Sequence, residues 1–320
     1  MNRHPAALSL DLDNHWSYLR TRGDAAWRGY PSYLGTVVPR ILEFLRERSL
    51  RITVFVVGQD AARAQNHEML ASIAAEGHEI GNHSHNHEPW LHRLTPDEVR
   101  AELSAAHGAI VEATGVTPRG FRGPGFSLSD GTLAALVELG YHYDGSTLPT
   151  FVGPLARAYY FRSAGISDEE REQRAALFGD WREGFRPIRP YRWRVGSASL
   201  VELPVTTMPW FRLPFHFSYL LYAADRSERL ADAYLGTALH LCRLTRVQPS
   251  LLLHPLDFLG PNEASGLEFF PGMATPAETK LRRLDGFLEA VRKHFELRPM
   301  GEQVAALGEN LPLRVPRFRL

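Results

Sequence analysis

Short apolar runs alternate with amphipathic stretches between residue 8 and about residue 144. The runs are short and end at turn residues, which predicts buried strands. The stretches between them carry apolar residues at helical spacing and predict helices. This alternation is typical of strand and helix units around a mostly parallel sheet, so we predict an α/β fold. The predicted strands are residues 8–10, 52–57, 120–122 and 141–143, and the predicted helices are residues 34–48, 69–76, 96–114 and 129–139.

The alternation stops at about residue 150. The following stretch is rich in aromatic residues, arginine and proline, and it predicts only one helix, over residues 168–178. Regular structure is predicted again at residues 200–205, then as a helix at 227–246, a strand at 250–253 and a helix at 276–294 that Thr275 caps. We therefore predict one domain over residues 1–320 with an aromatic- and arginine-rich insertion at about residues 150–225.

Composition and charge narrow the classes of function. The chain has 320 residues, of which 44% are apolar and 22% charged, as in globular proteins. Lys and Arg together number 36, as do Asp and Glu, so no overall field draws the chain to nucleic acid, and we predict no such partner. Cys242 has no partner within the chain, and the first residues lack the apolar stretch of a secretory signal. We expect a cytoplasmic protein; the sequence does not indicate its oligomeric state.

Two carboxylates follow the first predicted strand. Asp11 and Asp13 are two residues apart, so their side chains point to the same side if the strand continues through them. An isolated Asp-x-Asp is more often a polar strand end or a helix cap than a site. The pair therefore needs a second cluster nearby to indicate chemistry.

Histidines supply that second cluster. Five of the 14 histidines lie between His78 and His92. Within this group, His83 and His87 are four residues apart and can converge on one ion in a helical turn, while we expect His85 to point away. Neutral imidazoles with a carboxylate are a common zinc shell. The alternative is a set of solvated surface histidines.

Three further residues lie where predicted strands end. Arg122 opens an Arg-Gly-Pro-Gly-Phe turn, in which arginine can orient a carboxylate through two hydrogen bonds. Asp144 and His254 follow two other strands. Each has an alternative without a functional role: the Arg122 segment as a tight turn, Asp144 as part of a simple turn, and His254 as a core histidine with its hydrogen bonds satisfied. Because active-site residues of parallel α/β folds collect at the carboxyl ends of strands, these positions favour one shared site.

In chain order these residues resemble the motifs of the polysaccharide deacetylase family. These are NodB-homology carbohydrate esterases and amidases, of the kind grouped in carbohydrate esterase family 4, with a distorted (β/α) barrel. The resemblance covers residues 8–297 apart from the insertion. It implies the following roles: Asp11 as base, Asp13, His83 and His87 as metal ligands, Arg122 as the residue that holds the base, His254 as proton donor, and Asp144 as a residue that tunes the catalytic groups.

The resemblance implies a single catalytic domain that removes an acetyl or formyl group from the nitrogen of an amino sugar. It also implies a divalent metal, with Zn²⁺ favoured and Fe, Co, Ni and Mn as alternatives. In the common family form the two aspartates are adjacent, whereas Leu12 separates them here. That spacing resembles the branch of the undecaprenyl-phosphate aminoarabinose deformylase, which disfavours a polymer as substrate. Gly125 stands where the family usually has an aromatic residue, although the Gly125 N–H could donate a hydrogen bond to an oxyanion. The tryptophan that usually follows the aspartate at position 144 is absent.

The insertion bears on the substrate, because its arginines and aromatic rings suit phosphate and sugar contacts. We hypothesise that it binds an amino sugar linked to a polyprenyl phosphate or a nucleotide, with peripheral contact to the cytoplasmic face of the inner membrane. The alternative is a lid that completes the core. The aromatic residues are Tyr159, Tyr160, Phe161, Trp181, Phe185, Tyr191 and Trp193, and the arginines are Arg157, Arg162, Arg182, Arg186, Arg189, Arg192 and Arg194.

Two other functions stay open from the sequence. A non-haem iron oxygenase also uses two histidines and one carboxylate. Such an enzyme has no use for Asp11 beside Arg122, nor for a separate acid at His254. A non-catalytic carbohydrate-binding module would keep the pocket without the chemistry, although each catalytic position here holds a competent residue.

Overall fold

The computed structural model describes residues 3–153, 181–268, 270, 272–316 and 318. The strands are β1 His4–Leu12, β2 Thr53–Val56, β3 Glu79–Asn82, β4 Gly120–Phe121, β5 Tyr143–Asp144, β6 Tyr191–Val195, β7 Ala198–Glu202, β8 Ser250–Leu253, β9 Phe295–Arg298 and β10 Leu313–Arg314. The helices are α1 His15–Arg22, α2 Leu34–Glu47, α3 Gly58–Ala61, α4 His67–Ala75, α5 Pro96–Thr114, α6 Asp130–Glu138, α7 Phe217–Ala224, α8 Glu228–Leu244, α9 Ala277–Arg292 and α10 Met300–Ala305. The predicted helix at 168–178, and Arg157, Tyr159, Tyr160, Phe161 and Arg162 of the insertion, lie outside the described residues.

These strands form one sheet in the order β10-β6-β7-β5-β4-β3-β2-β1-β8, and β9 adds to β1. Neighbouring strands are parallel except β6 and β7, which run antiparallel. Beyond β7, the Thr206 N–H donates to the Ser250 carbonyl at 3.0 Å, and the Ser250 N–H donates to the Thr206 hydroxyl at 2.8 Å. This contact joins the two sides of the sheet. The predicted α/β fold with a distorted barrel is confirmed.

Strand β1 is buried on both faces. Its even-numbered residues pack in the large core between the sheet and the helices. On the other face, Ala7 packs with Phe55 and Tyr143 inside the barrel, and Asp11 follows on that same face. The odd-numbered positions therefore point to the barrel interior, while Leu12 points to the core.

Aromatic rings fill the barrel below the end of β1. A Cβ on Gly120 of β4 would lie 2.1 Å from the Tyr143 ring, and a Cβ on Gly81 of β3 would lie 2.4 Å from the Phe55 ring. Both glycines thus make room for a ring that larger residues would displace. The Tyr143 hydroxyl also donates to Glu79 at 3.0 Å. These rings fill the barrel interior beside Ala7. The polar residues therefore lie further along, towards the carboxyl ends of the strands.

The cap of α5 shows how local sequence sets an element. Thr95 accepts from the Glu98 N–H while the Glu98 carboxylate accepts from the Thr95 N–H, and Gly115 ends the helix with φ 71°. This predicted helix is confirmed. The predicted cap at Thr275 is wrong: its hydroxyl donates to Asp225 at 2.6 Å, and Pro276 precedes α9.

Part of the stretch that was predicted as an insertion belongs to the sheet. Strands β6 and β7 form a hairpin that extends the sheet beyond β5. Inward-facing Tyr191 and Trp193 are buried and alternate with more exposed arginines. Arg192 and Arg194 therefore lie within an ordinary sheet hairpin, of which only the second strand overlaps the regular structure predicted at residues 200–205.

Candidate active site

Arg122 fixes the carboxylate of Asp11. The side chain of Arg122 is fully buried, and its Nη1 donates to Asp11 Oδ1 and to Ser9 Oγ, both at 2.9 Å. Its Nε donates to the Gly145 carbonyl at 2.9 Å. The guanidinium also lies over the Phe55 ring, 4.6 Å from the ring centroid. An arginine held at this many points can place one carboxylate oxygen and leave the group oriented.

Asp13, His83 and His87 converge beside that pair. Asp13 Oδ1 lies 2.8 Å from His87 Nε2 and 3.1 Å from His83 Nε2. One ligand atom from each residue lies within 4.8 Å of the others, and all three residues are buried. Burial alone would raise the pKa of Asp13, but His87 and His83 lower it well below its usual range. The carboxylate is therefore ionised, and the three donor atoms face one small volume.

Each histidine reaches this volume with a defined ring nitrogen. His83 Nδ1 donates to the Arg122 carbonyl at 2.6 Å, which directs Nε2 towards Asp13. Burial alone would lower the pKa of His83, but the charges of Asp11 and Asp13 raise it. The two carboxylates thus favour positive charge at this point. A proton on the imidazole supplies such a charge, and a bound cation would supply it as well.

The loop that carries the histidines is not the helical turn expected from their spacing. Ser84 and His87 have φ of 61° and 50°, in the left-handed region. Asn82 Oδ1 accepts the Ser84 N–H at 2.8 Å and stabilises this bend. His85 lies beside Gly58, where an added Cβ would be 2.8 Å from its Nδ1. His85 therefore lies outside the group formed by Asp13, His83 and His87, as expected from its position between the two histidines.

His254 lies after β8 and is held by two neighbours. Its ring nitrogen Nδ1 lies 3.1 Å from Ser218 Oγ, and its backbone N–H donates to Asp257 Oδ2 at 2.8 Å. Burial raises the pKa of Asp257, and His254 and Ser218 offset part of that rise. The His254 ring also lies 5.8 Å from the buried ring of His216, between centroids. Nε2 is the remaining nitrogen through which His254 can act.

Asp144 does not contact His254 in the described network; it supports the turn after Arg122. Its carboxylate accepts from the Ser146 hydroxyl at 2.5 Å, and that hydroxyl accepts the Gly123 N–H at 2.8 Å. Burial, and then the adjacent Asp144 carboxylate, raise the pKa of Glu202 well above its usual range. Burial also raises the pKa of Asp144, so this pair of carboxyl groups holds a proton more readily than two exposed carboxyl groups would. Within the turn itself, the Phe126 N–H donates to the Gly123 carbonyl, which leaves Gly125 as the candidate oxyanion donor.

Sequence reasoning missed several residues of this site. Asp257 carried a signal, because an acid three residues after His254, with Pro255 between, is typical of a capped turn. Ser218, His216, Glu202 and Asp60 carried none. Each makes its contacts across long sequence separations, as when Asp60 accepts from Asn14.

A family model described as polysaccharide deacetylase matches residues 24–143, which include His83, His87 and Arg122. Over that segment the chain is similar to the polysaccharide deacetylase family. Asp11 and Asp13 precede the matched segment, and Asp144 and His254 follow it. The predicted resemblance to this family is confirmed for the matched residues; the deformylase branch stays a prediction.

Curated deacetylases align with part of the chain. It is 33% identical over 120 residues to chitin deacetylase 1 of Cryptococcus neoformans, which covers 35% of this chain and 25% of that protein. It is 33% identical over 86 residues to a peptidoglycan-N-acetylglucosamine deacetylase of Bacillus cereus, which covers 27% of this chain and 30% of that protein. The chain therefore spans less than a third of the length of these two relatives.

One solved structure matches the whole fold. The crystal structure of a Mycobacterium smegmatis protein described as a polysaccharide deacetylase covers 100% of both chains, with a TM-score of 0.61 and 21% identity. This likeness shows a shared fold. Among the described residues, no helix combines the length and apolar character needed to cross a bilayer.

Proposed function

We propose that this chain is a single-domain, metal-dependent hydrolase that removes an N-acyl group from an amino sugar. The observation that carries the proposal is the convergence of Asp13, His83 and His87 beside an Asp11 that Arg122 holds. An oxygenase needs the first three residues only. The buried Asp11–Arg122 pair supports hydrolysis, because it supplies a positioned base next to the same volume.

The donor set fits a divalent cation. One carboxylate and two imidazoles, all buried, offer three ligand atoms within 4.8 Å of one another. Zinc is favoured by this mixture of nitrogen and oxygen donors, with Fe, Co, Ni and Mn as alternatives. A divalent ion held there polarises a carbonyl and lowers the pKa of water.

The protein groups divide the proton transfers. Asp11, oriented by Arg122, accepts a proton from the attacking water. The Gly125 N–H donates to the oxygen that gains negative charge when the amide carbon becomes tetrahedral. His254, supported by Ser218, donates a proton to the departing amine nitrogen. Asp144 acts indirectly, by holding the turn that contains Gly125.

The comparison that tests this function uses two aspartates. Asp11→Asn removes the base but none of the three ligand atoms, so we expect zinc to bind as in the wild type while kcat falls about 10²–10⁴-fold. Asp13→Asn removes a ligand and is expected to lose zinc. Released acetate and formate are measured with N-acetyl and N-formyl amino sugars that are free, nucleotide-linked or polyprenyl-linked. Zinc-loaded wild-type protein that releases neither acid, or that instead consumes oxygen with a 2-oxo acid, would contradict the proposal.

We further propose that the sugar carries a phosphate and an apolar carrier, bound peripherally at the cytoplasmic face of the inner membrane. Support comes from the segment between β7 and His216. There Trp210 and Phe211 are 64% and 59% exposed. Burial lowers the pKa of Arg212, and its Nη1 has no hydrogen-bond partner among the residues that the structure describes. The Arg212 carbonyl accepts from the Thr150 hydroxyl at 2.7 Å, which holds this segment against the chain that follows β5.

Arg212→Met tests the phosphate. We expect KM to rise about tenfold for phosphate-linked substrates, since about 1.4 kcal/mol of charge-assisted binding is lost. Free N-acyl sugars should keep their KM. Arg226→Met, which removes an exposed arginine paired with Tyr222, is the matched control. An equal change for free and phosphate-linked sugars would argue against a phosphate contact, and protein that never floats with anionic liposomes would remove the membrane contact.

A further inference from the structure

Several buried polar atoms in and around the histidine loop lack a hydrogen bond among the described residues. Two of them are His87 Nδ1 and Asp60 Oδ2. Leaving a buried polar atom unpaired is unfavourable, and more so for a charged group. A donor-capable nitrogen and a carboxylate oxygen that are both unpaired suggest a contact made only in another state of the site.

One oxygen of Asp60 is fixed on the segment that carries Asp13. Asp60 is 2% exposed, and its Oδ1 accepts from Asn14 Nδ2 at 2.8 Å and from Trp16 Nε1 at 2.9 Å. Both donors lie within three residues after Asp13 in the chain. Because two donors hold Oδ1, the orientation of the carboxylate is set and Oδ2 is left for another partner.

The helix that carries Asp60 is fixed on the histidine loop as well. The N–H groups of Gly58 and Gln59, in α3, donate to the carbonyls of Ser84 and His85, each at 2.8 Å. Asp60 therefore lies between the two segments that supply the ligand atoms. Burial raises the pKa of Asp60 to about 6, and Asn14, Trp16 and His87 oppose that rise. The charge of His87 thus acts on the Asp60 carboxylate.

The two histidines differ in their support. An imidazole that binds a cation through Nε2 carries a proton on Nδ1, and that N–H needs an acceptor. For His83 the acceptor is the Arg122 carbonyl at 2.6 Å. For His87, Asp60 is the buried acceptor that the same geometry brings near.

We propose that Asp60 Oδ2 accepts the Nδ1–H of His87 when Nε2 of His87 binds the cation. Asp60 is then a positioning residue: it selects the His87 tautomer that binds metal and ties the Asp13 segment to the histidine loop. This inference rests on the metal site of the proposed function.

Asp60→Asn tests the assignment with little change in shape. The amide oxygen can still accept from Asn14 and Trp16, but an NH₂ group then faces the Nδ1–H of His87. We expect zinc affinity, measured by competition with a chromophoric chelator, to fall about 10–100-fold. In protein with ¹⁵N-labelled histidine, the zinc-loaded wild type should show a slowly exchanging Nδ1–H for His87, which Asp60→Asn loses while that of His83 persists.

Glu102→Gln is the matched control. Glu102 is a buried carboxylate of α5 that supports the same loop, because it accepts from the backbone and side-chain nitrogens of Asn86. We expect this variant to keep both the zinc affinity and the His87 resonance. Equal losses in the two variants would assign the effect to loosening of the loop and overturn the role of Asp60.

The wild type alone also decides the matter, should Asp60→Asn fail to fold. A His87 Nδ1–H that exchanges as fast as that of a solvated imidazole would overturn the inference while leaving zinc binding intact. Wild-type protein that binds no zinc would instead overturn the proposed function, and Asp60 with it.

Discussion

Arg122 serves two functional groups at once. Its side chain donates to Asp11, Ser9, the Gly145 carbonyl and Met300 Sδ. Its own carbonyl accepts from His83 Nδ1. Because Asp11, the proposed base, and His83, a proposed ligand, both depend on Arg122, their relative position is set by the geometry of a single amino acid. A lysine in its place could not reproduce these contacts, since an ammonium lacks the planar fork.

Ser218→Ala tests the support of His254 at this scale. Losing the hydroxyl frees the imidazole to rotate, so we expect kcat to fall about tenfold, which is less than the loss of about 10²–10⁴-fold expected when general acid catalysis is removed altogether. Zinc affinity should not change, because Ser218 contacts none of the three ligands. Ser199→Ala, on the exposed end of β7, is the control. A rise in KM with unchanged kcat would instead place Ser218 in substrate binding.

Among the elements, the sequence predicted those whose signal is local. β2 is a β-branched run, and α5 has its cap, its first-turn acids and its closing glycine within one segment. The positions of Asp11, Asp13, Arg122 and His254 near strand ends also followed from the pattern. The shape of the histidine loop did not, because Ser84 and His87 adopt left-handed conformations through contacts with Asn82 and α3.

The hairpin of β6 and β7 shows a different limit. Tyr191 and Trp193 alternate with arginines, which is a strand pattern, yet prolines directly before it favoured an irregular segment. β9 was missed because the apolar spacing of α9 continues into it. In both cases a partner strand far away in the chain decides the conformation.

Gly123→Ala tests the turn after β4. A Cβ at this position would lie 2.0 Å from the Ser127 carbonyl oxygen, which is backbone and cannot move away as a side chain would. We expect the free energy of unfolding to fall by about 1–3 kcal/mol. Gly108→Ala, in the middle of α5 with open space around it, should raise it by about 0.5–1 kcal/mol. Urea unfolding of both variants measures the difference, and equal stabilities would contradict this account of the turn.

At the scale of the whole molecule, one buried lysine connects helix α9 to the segment that follows β8. Lys280 of α9 donates to the carbonyls of Leu256 and Leu259 at 2.9 and 2.7 Å. It is 2% exposed, and burial lowers its pKa from 10.5 to about 8, although nearby acids oppose the shift. Its protonation is therefore linked to global stability.

The sign of that linkage follows from the two pKa values. Between pH 8 and 10.5 the unfolded chain binds more protons at Lys280 than the folded protein. The free energy of unfolding should therefore gain a contribution that rises with pH through this window. Lys280→Met lacks this contribution, so the difference between wild type and variant should grow in favour of the wild type. Parallel curves from chemical denaturation at pH 7.5 and 10 would contradict the shift.

β1 pairs with β2, with β8 and with β9, so its neighbours come from near and distant parts of the chain. A ribosome delivers β2 soon after β1, but β8 and β9 only after β3 to β7. During that interval one edge of β1 has bare backbone groups, and such an edge invites pairing with other nascent chains. We expect the growing polypeptide to depend on chaperones until Arg298 has left the exit tunnel, after which the edge is covered.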